Sequence, residues 1–202
     1  MTVTSTSGSG VSPSATSTAT ATVTTSSAAP DISNWTLFQN TKYKFQFMYP
    51  PASTVTSQSD TEARIDLPFT QGTLLTSKYI NLTVVEGVSP CKNTVASGAP
   101  PTSSENVTIN GVVFLKETGS EPAAGNLFEW EAYSVVRPNT NACVSIGFVL
   151  RSSNPGNFTT PPPPFDKAAE HTSLAQLSRT TGDLVDFWDR SQMPPEIRGL
   201  AD

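Results

Sequence analysis

Residues 42–49 read KYKFQFMY, and their strict alternation constrains the fold more than any other stretch of the chain. Tyr43, Phe45, Phe47 and Tyr49 fall two apart, with Lys42, Lys44, Gln46 and Met48 between them. Successive side chains on a strand point to opposite faces, so four rings on one side predict a half-buried strand. Pro50-Pro51 closes it, because proline has no N–H to give to a ladder. Upstream, Trp35 and Phe38 sit in a short strand or turn expected to fold back on the same core. Rings in a row with a polar row behind them read as interior packing. A ligand platform would need rings on the Lys42 side, and that side has none.

Further strands are predicted at residues 63–67 (ARIDL) and 78–85 (KYINLTVV), where Ile80, Leu82 and Val84 share one face. Asn110-Gly111 lies between apolar runs in residues 106–116, a strong hairpin signal because both turn residues must accept positive φ. Residues 127–136 and 142–150, joined by RPNTN, read as a second hairpin. Residues 88–104 form a Pro/Gly/Ser-rich loop. Pro161 to Pro164 should be extended, and Asp166 is placed to cap a helix that follows. DLVDFWDR, at 183–190, suggests a second helix. The expected class is α+β: a mainly antiparallel sheet of six or seven strands, with one or two C-terminal helices packed on one face.

Composition divides the chain. The first thirty residues hold seventeen Ser or Thr and no charge, too little apolar surface to offset chain entropy. The organisation read from this is a disordered Ser/Thr-rich stalk at 1–30, one domain at 31–190 and a flexible tail at 191–202. Such stalks are typical of cell-surface proteins. Met1 is followed directly by TVTSTSGSG, with no signal peptide. The stalk composition leads to the expectation that the natural protein is exported, its leader removed or lying outside this sequence, with any membrane link a lipid anchor upstream of Met1; a flexible linker from a larger cytosolic protein is the alternative. A net charge of −5 with scattered Lys and Arg argues against nucleic acid.

Trp35-x-x-Phe38-x-Asn40-x-x-Tyr43-x-Phe45-x-Phe47-x-Tyr49-Pro50 resembles the opening of PsbP-like domains in bacterial exported proteins and lipoproteins. That pattern has glycine where this chain has Lys44. The resemblance covers about twenty residues. It implies an α/β sandwich with an antiparallel sheet, in a family whose photosystem members are accessory subunits.

Cys91 and Cys143 are the only cysteines, too few for a structural zinc site. In an exported protein they read as one disulfide, closing a loop of about 50 residues worth roughly 4 kcal/mol by chain entropy and pinning the 88–104 loop to the edge of the long hairpin. The alternative is two buried free thiols. Glu129 and Glu131 flank Trp130 and share a face of their strand, a carboxylate pair of the kind a glycosidase uses or a solvated sheet surface. Asp183, Asp186 and Asp189 lack the loop geometry of a calcium site, and His171 has no HExxH or nucleophile-elbow context. No cofactor or metal is expected. The chain thus reads as a non-enzymatic extracytoplasmic module with a protein or glycan partner at the cell surface. A glycan-acting hydrolase using the paired carboxylates and a small-ligand carrier with a pocket between sheet and helix are the competing classes, with Glu129, Trp130 and Glu131 as the candidate ligand-facing residues.

Overall fold

A computed structural model describes residues 33–93, 100–109, 112–137 and 140–170. The stalk at 1–30, the second predicted helix, the three spaced aspartates, His171 and the tail lie outside the described residues. Nine strands are present among those described: β1 (Thr36–Asn40), β2 (Phe45–Tyr49), β3 (Thr54–Gln58), β4 (Glu62–Asp66), β5 (Leu75–Glu86), β6 (Ser103–Ile109), β7 (Val112–Ala123), β8 (Asn126–Arg137) and β9 (Ala142–Ser153). β1 and β2 pair only with each other; the rest form one antiparallel sheet in the order β3-β4-β5-β9-β8-β7-β6. The large sheet has the seven strands expected and β1–β2 form a second sheet; with only a 3-10 turn at 155–157 and a helical turn at 167–170 among the described residues, the fold is mainly β rather than clearly α+β.

The aromatic row is interior. Tyr43, Phe45, Phe47 and Tyr49 are 3%, 2%, 0% and 9% exposed, while Lys42 and Lys44 are exposed. With Phe38 they join one cluster with the inward residues of the large sheet, among them Ile65, Ile80, Leu82, Val144, Ile146 and Phe148. Burying a large apolar side chain contributes about 1.5–3 kcal/mol, so this row dominates the core.

Asn40 positions that hairpin. It is buried; its Oδ1 accepts from Tyr43 N at 2.9 Å and its Nδ2 donates to Asp60 O at 2.7 Å. One side chain therefore closes the β1–β2 turn and ties it to the β3–β4 turn. Tyr43 OH donates to Glu86 Oε1 at 2.7 Å, fixing the same turn to the end of β5. Lys44, next in the turn, has φ 57°, a left-handed backbone that costs a residue with a Cβ.

The chain leaves β5 in mid-sheet and must pass β9, β8 and β7 to begin β6 at the far edge. The connecting loop crosses the face opposite the aromatic hairpin. Cys91 bonds Cys143 of β9, with Cα atoms 5.2 Å apart, inside the usual disulfide range. Ser145 Oγ donates to Lys92 O at 3.2 Å, and Asn93 N donates to the buried Glu117 at 2.8 Å. The bond thus holds a crossover to a central strand, not a loop to the edge of a hairpin. β9 is central because β5 lies on its other side, and it is buried on both faces from Ala142 to Leu150.

Two strands lay beyond sequence pattern. β3 is an exposed, polar edge strand with no apolar alternation. β7 continues past Lys116 through Gly119 and Pro122, residues that ordinarily break strands. Gly119 is tolerated there because the Trp130 ring lies over it, and a Cβ would overlap that ring.

Two substitutions separate these effects. Asn40→Ala should cost about 1–3 kcal/mol in urea unfolding, since it strands buried backbone groups. Lys44→Gly should instead raise stability by about 0.5–1 kcal/mol, the reverse of the usual glycine penalty, because the backbone there is already left-handed. Loss of stability in Lys44→Gly would contradict the assigned turn.

Candidate binding cleft

Alternation along β8 sends Glu129 and Glu131 to the core face and Trp130 to the opposite one. Register makes the core-face neighbours explicit: Lys78, Leu150, Glu129 and Ser120 form one row across β5, β9, β8 and β7, and Ile80, Phe148, Glu131 and Thr118 the next. Trp130 packs behind them with Tyr79, Ala132 and Val149. Its Nε1 is buried without a hydrogen bond among the described residues. Of the three expected ligand-facing residues, the two glutamates share the core face and Trp130 takes the opposite one, yet all three line one cleft.

β6 begins at Ser103, opposite Thr118, so β7 beyond that point is an edge among the described strands. There the core face opens into a cleft of about 250 Å³ lined by Thr102, Thr118, Ser120, Glu129 and Glu131. Gly119 and Trp130 also line it. Ser103 Oγ and Thr118 Oγ1 share a hydrogen bond at 2.6 Å, and Thr102 Oγ1 donates to Thr118 O at 3.1 Å.

Both glutamates are held by lysines. Glu131 Oε2 lies 3.1 Å from Lys116 Nζ, and its Oε1 accepts from Tyr133 OH at 2.8 Å. Glu129 Oε1 accepts from Lys167 Nζ at 3.2 Å. Its Oε2 is 3.0 Å from the same ammonium but off the hydrogen-bonding direction, and this buried oxygen accepts no hydrogen bond.

Lys167 arrives on the segment after β9. Leu74 N donates to Pro163 O at 3.0 Å, bringing the proline run against β5. Asp166 caps a helical turn at residues 167–170, as expected: its Oδ1 accepts from Ala169 N at 3.0 Å. Three residues apart on this turn, Lys167 meets Glu129 and Glu170 meets Lys78, the latter pair at 2.7 Å with side chains 14% and 5% exposed. The sheet offers Lys then Glu, and the turn answers with Glu then Lys. This crossed pattern fixes how the turn sits over Leu150.

A second, more open concavity of about 470 Å³ lies at the other end of the sheet, beside Lys42, Tyr43, Glu62 and Glu86. Lys42 there has its pKa raised, chiefly by the neighbouring Tyr43 side chain and less by the carboxylates of Glu86 and Asp60. A raised folded pKa gives stability that is present at neutral pH and lost as pH climbs through it. No group of three or more metal-ligating side chains occurs among the described residues. The Lys–Glu clasp at the cleft could not be read from sequence, because its partners are 92 and 38 residues apart.

No family model and no curated protein matches the chain. Among solved structures it is similar to a Bacteroides thetaiotaomicron VPI-5482 protein whose crystal structure extends to 1.50 Å, at 8% identity and a TM-score of 0.43. The match covers 75% of this chain and 48% of that one, so the chain spans about half that protein's length.

Lys78→Met should destabilise by about 3–5 kcal/mol, because it leaves the Glu170 carboxylate beside an apolar face. Pairing it with Glu170→Leu should recover most of that loss. A double variant no more stable than Lys78→Met would show that the clasp is not the coupled unit described.

Proposed function

We propose that the chain is a non-enzymatic, extracytoplasmic binding or accessory module of a cell-surface or envelope protein. The observation that carries this is the Cys91–Cys143 disulfide, which holds the crossover loop to the central strand. Such bonds persist in oxidising compartments and are rare in the cytosol. The Ser/Thr-rich segment 1–30 supports a stalk that keeps the domain away from a membrane or wall.

A PsbP-like relationship is supported by what the motif residues do. Asn40 and Tyr43 pin the first hairpin, and Phe38, Phe45 and Phe47 fill the core. The position where that pattern carries glycine is Lys44, whose backbone is left-handed. The helical turn capped by Asp166 supports a helix packed on the core face.

Among the competing classes, the ligand carrier has the stronger support, because a cleft lies on the sheet beside Glu129, the residue that Lys167 of that turn pairs with. Hydrolysis of glycans through Glu129 and Glu131 has less. Both carboxylates are engaged with ammonium groups, and a glycosidase pair must face the scissile bond.

Protein taken from its native cells under thiol-blocking conditions should carry no label on either cysteine. Labelling of both in the folded protein would overturn the extracytoplasmic reading. Replacing both cysteines with serine should cost about 2–4 kcal/mol in denaturant unfolding.

A further inference from the structure

We infer that β6 is a docking edge, pairing antiparallel with β6 of a second copy of this chain so that the two large sheets run together. The inference adds self-association to the accessory reading and does not depend on the compartment. An open sheet edge presents a row of unpaired N–H and C=O groups, and folded proteins blunt it with bulges, prolines, lysines or a covering element. The edge at β3 is blunted: it is five residues long and its register shifts between Val55 and Ser57. Beyond Thr118 the open side of β7 carries Pro122, which has no N–H to offer. β6 has none of these devices. Its residues, SSENVTI, include no proline, glycine or lysine, pair with β7 in unbroken register from Ser103 to Ile109, and are exposed or half-buried throughout.

Register names the groups on offer. The β6–β7 hairpin closes on Ile109 and Val112, so this pair exchanges hydrogen bonds within the hairpin. Alternation then commits the backbone groups of Ile109, Val107 and Glu105 to β7 and turns those of Thr108, Asn106 and Ser104 outward. Two copies related by a two-fold axis present the same patch to each other. An axis through Val107 suits this strand: Val107 meets the partner's Val107, Asn106 pairs with the partner's Thr108, and Glu105 faces the partner's Ile109. An axis through Glu105 would set two carboxylates against each other, which disfavours that register. On the core face Val107 and Ile109 already pack half-buried at the margin of the main core, so the pairing extends that core across the seam. Glu105 keeps Lys116, 4.0 Å away, as its countercharge. A single strand pair buries less than the roughly 1,200 Å² of a stable complex, so the dimer is weak, with a dissociation constant above about 1 μM.

The test is sedimentation equilibrium of the disulfide-bonded protein up to about 1 mM, a concentration that populates a dimer of this strength. A monomer–dimer equilibrium is expected. Asn106→Pro removes an outward N–H that β7 does not use, so it should keep the fold by circular dichroism and weaken dimerisation about tenfold or more. Val107→Cys should cross-link two copies under mild oxidation, because directly opposed residues of a non-hydrogen-bonded pair lie within disulfide reach. Glu105→Cys should not, since the partner's Ile109, not its Glu105, lies opposite. If Asn106→Pro fails to fold, the two cysteine variants decide. A monomer at every concentration, a dimer that a folded Asn106→Pro leaves unchanged, or cross-linking no better at position 107 than at 105 overturns the inference.

Discussion

Four rings on one side of a hairpin, Tyr43 from its turn and three from β2, can leave water only if an apolar surface lies opposite them. In this chain that surface is one face of a seven-stranded antiparallel sheet, and the hairpin carrying the rings is not part of that sheet. Docking hairpin on sheet therefore depends on shape and on a few polar anchors, not on a shared ladder. Asn40 and Tyr43 supply the anchors, to the β3–β4 turn and to the end of β5. Everything else on the core face is arranged around that docking. At the other end the face is met by the helical turn, and the edge beyond Thr118 is left open as the cleft.

The opposite face is organised by connectivity. Inserting β9, β8 and β7 between β5 and β6 obliges one loop to cross three strands. A crossing loop carries backbone groups that need partners and gains little apolar burial. Here the disulfide, the Lys92 carbonyl and the Asn93 amide each find a partner on the strands beneath. The same arrangement buries β9 on both sides, which explains its near-continuous apolar composition beside the alternating β2 and β8.

The candidate cleft joins these two levels. Its glutamates come from a strand whose alternation is plain, but the lysines that hold them come from β7 and from the segment after β9. Charge cancellation is a property of that assembly. Trp130 illustrates the converse. Its proximity in sequence suggested a shared ligand-facing patch, whereas the pleat sends it behind the sheet, where it covers Gly119 and makes a glycine-containing strand possible.

Period-two patterning, turn chemistry and cysteine count were enough to read the aromatic strand, the hairpins at 106–116 and 127–150, the Asp166 cap and the pairing of Cys91 with Cys143, since each rests on local geometry or on a single available partner. The polar edge strand β3 and the Gly/Pro-bearing end of β7 were not legible, because their strand state comes from neighbours rather than from their own residues. Only the tertiary structure decided that β9 is central, that Asn40 bridges two turns and that Glu129 and Glu131 are held by lysines. Those outcomes follow from strand order and long-range register, and alternation within one strand carries no information about which strand will lie beside it.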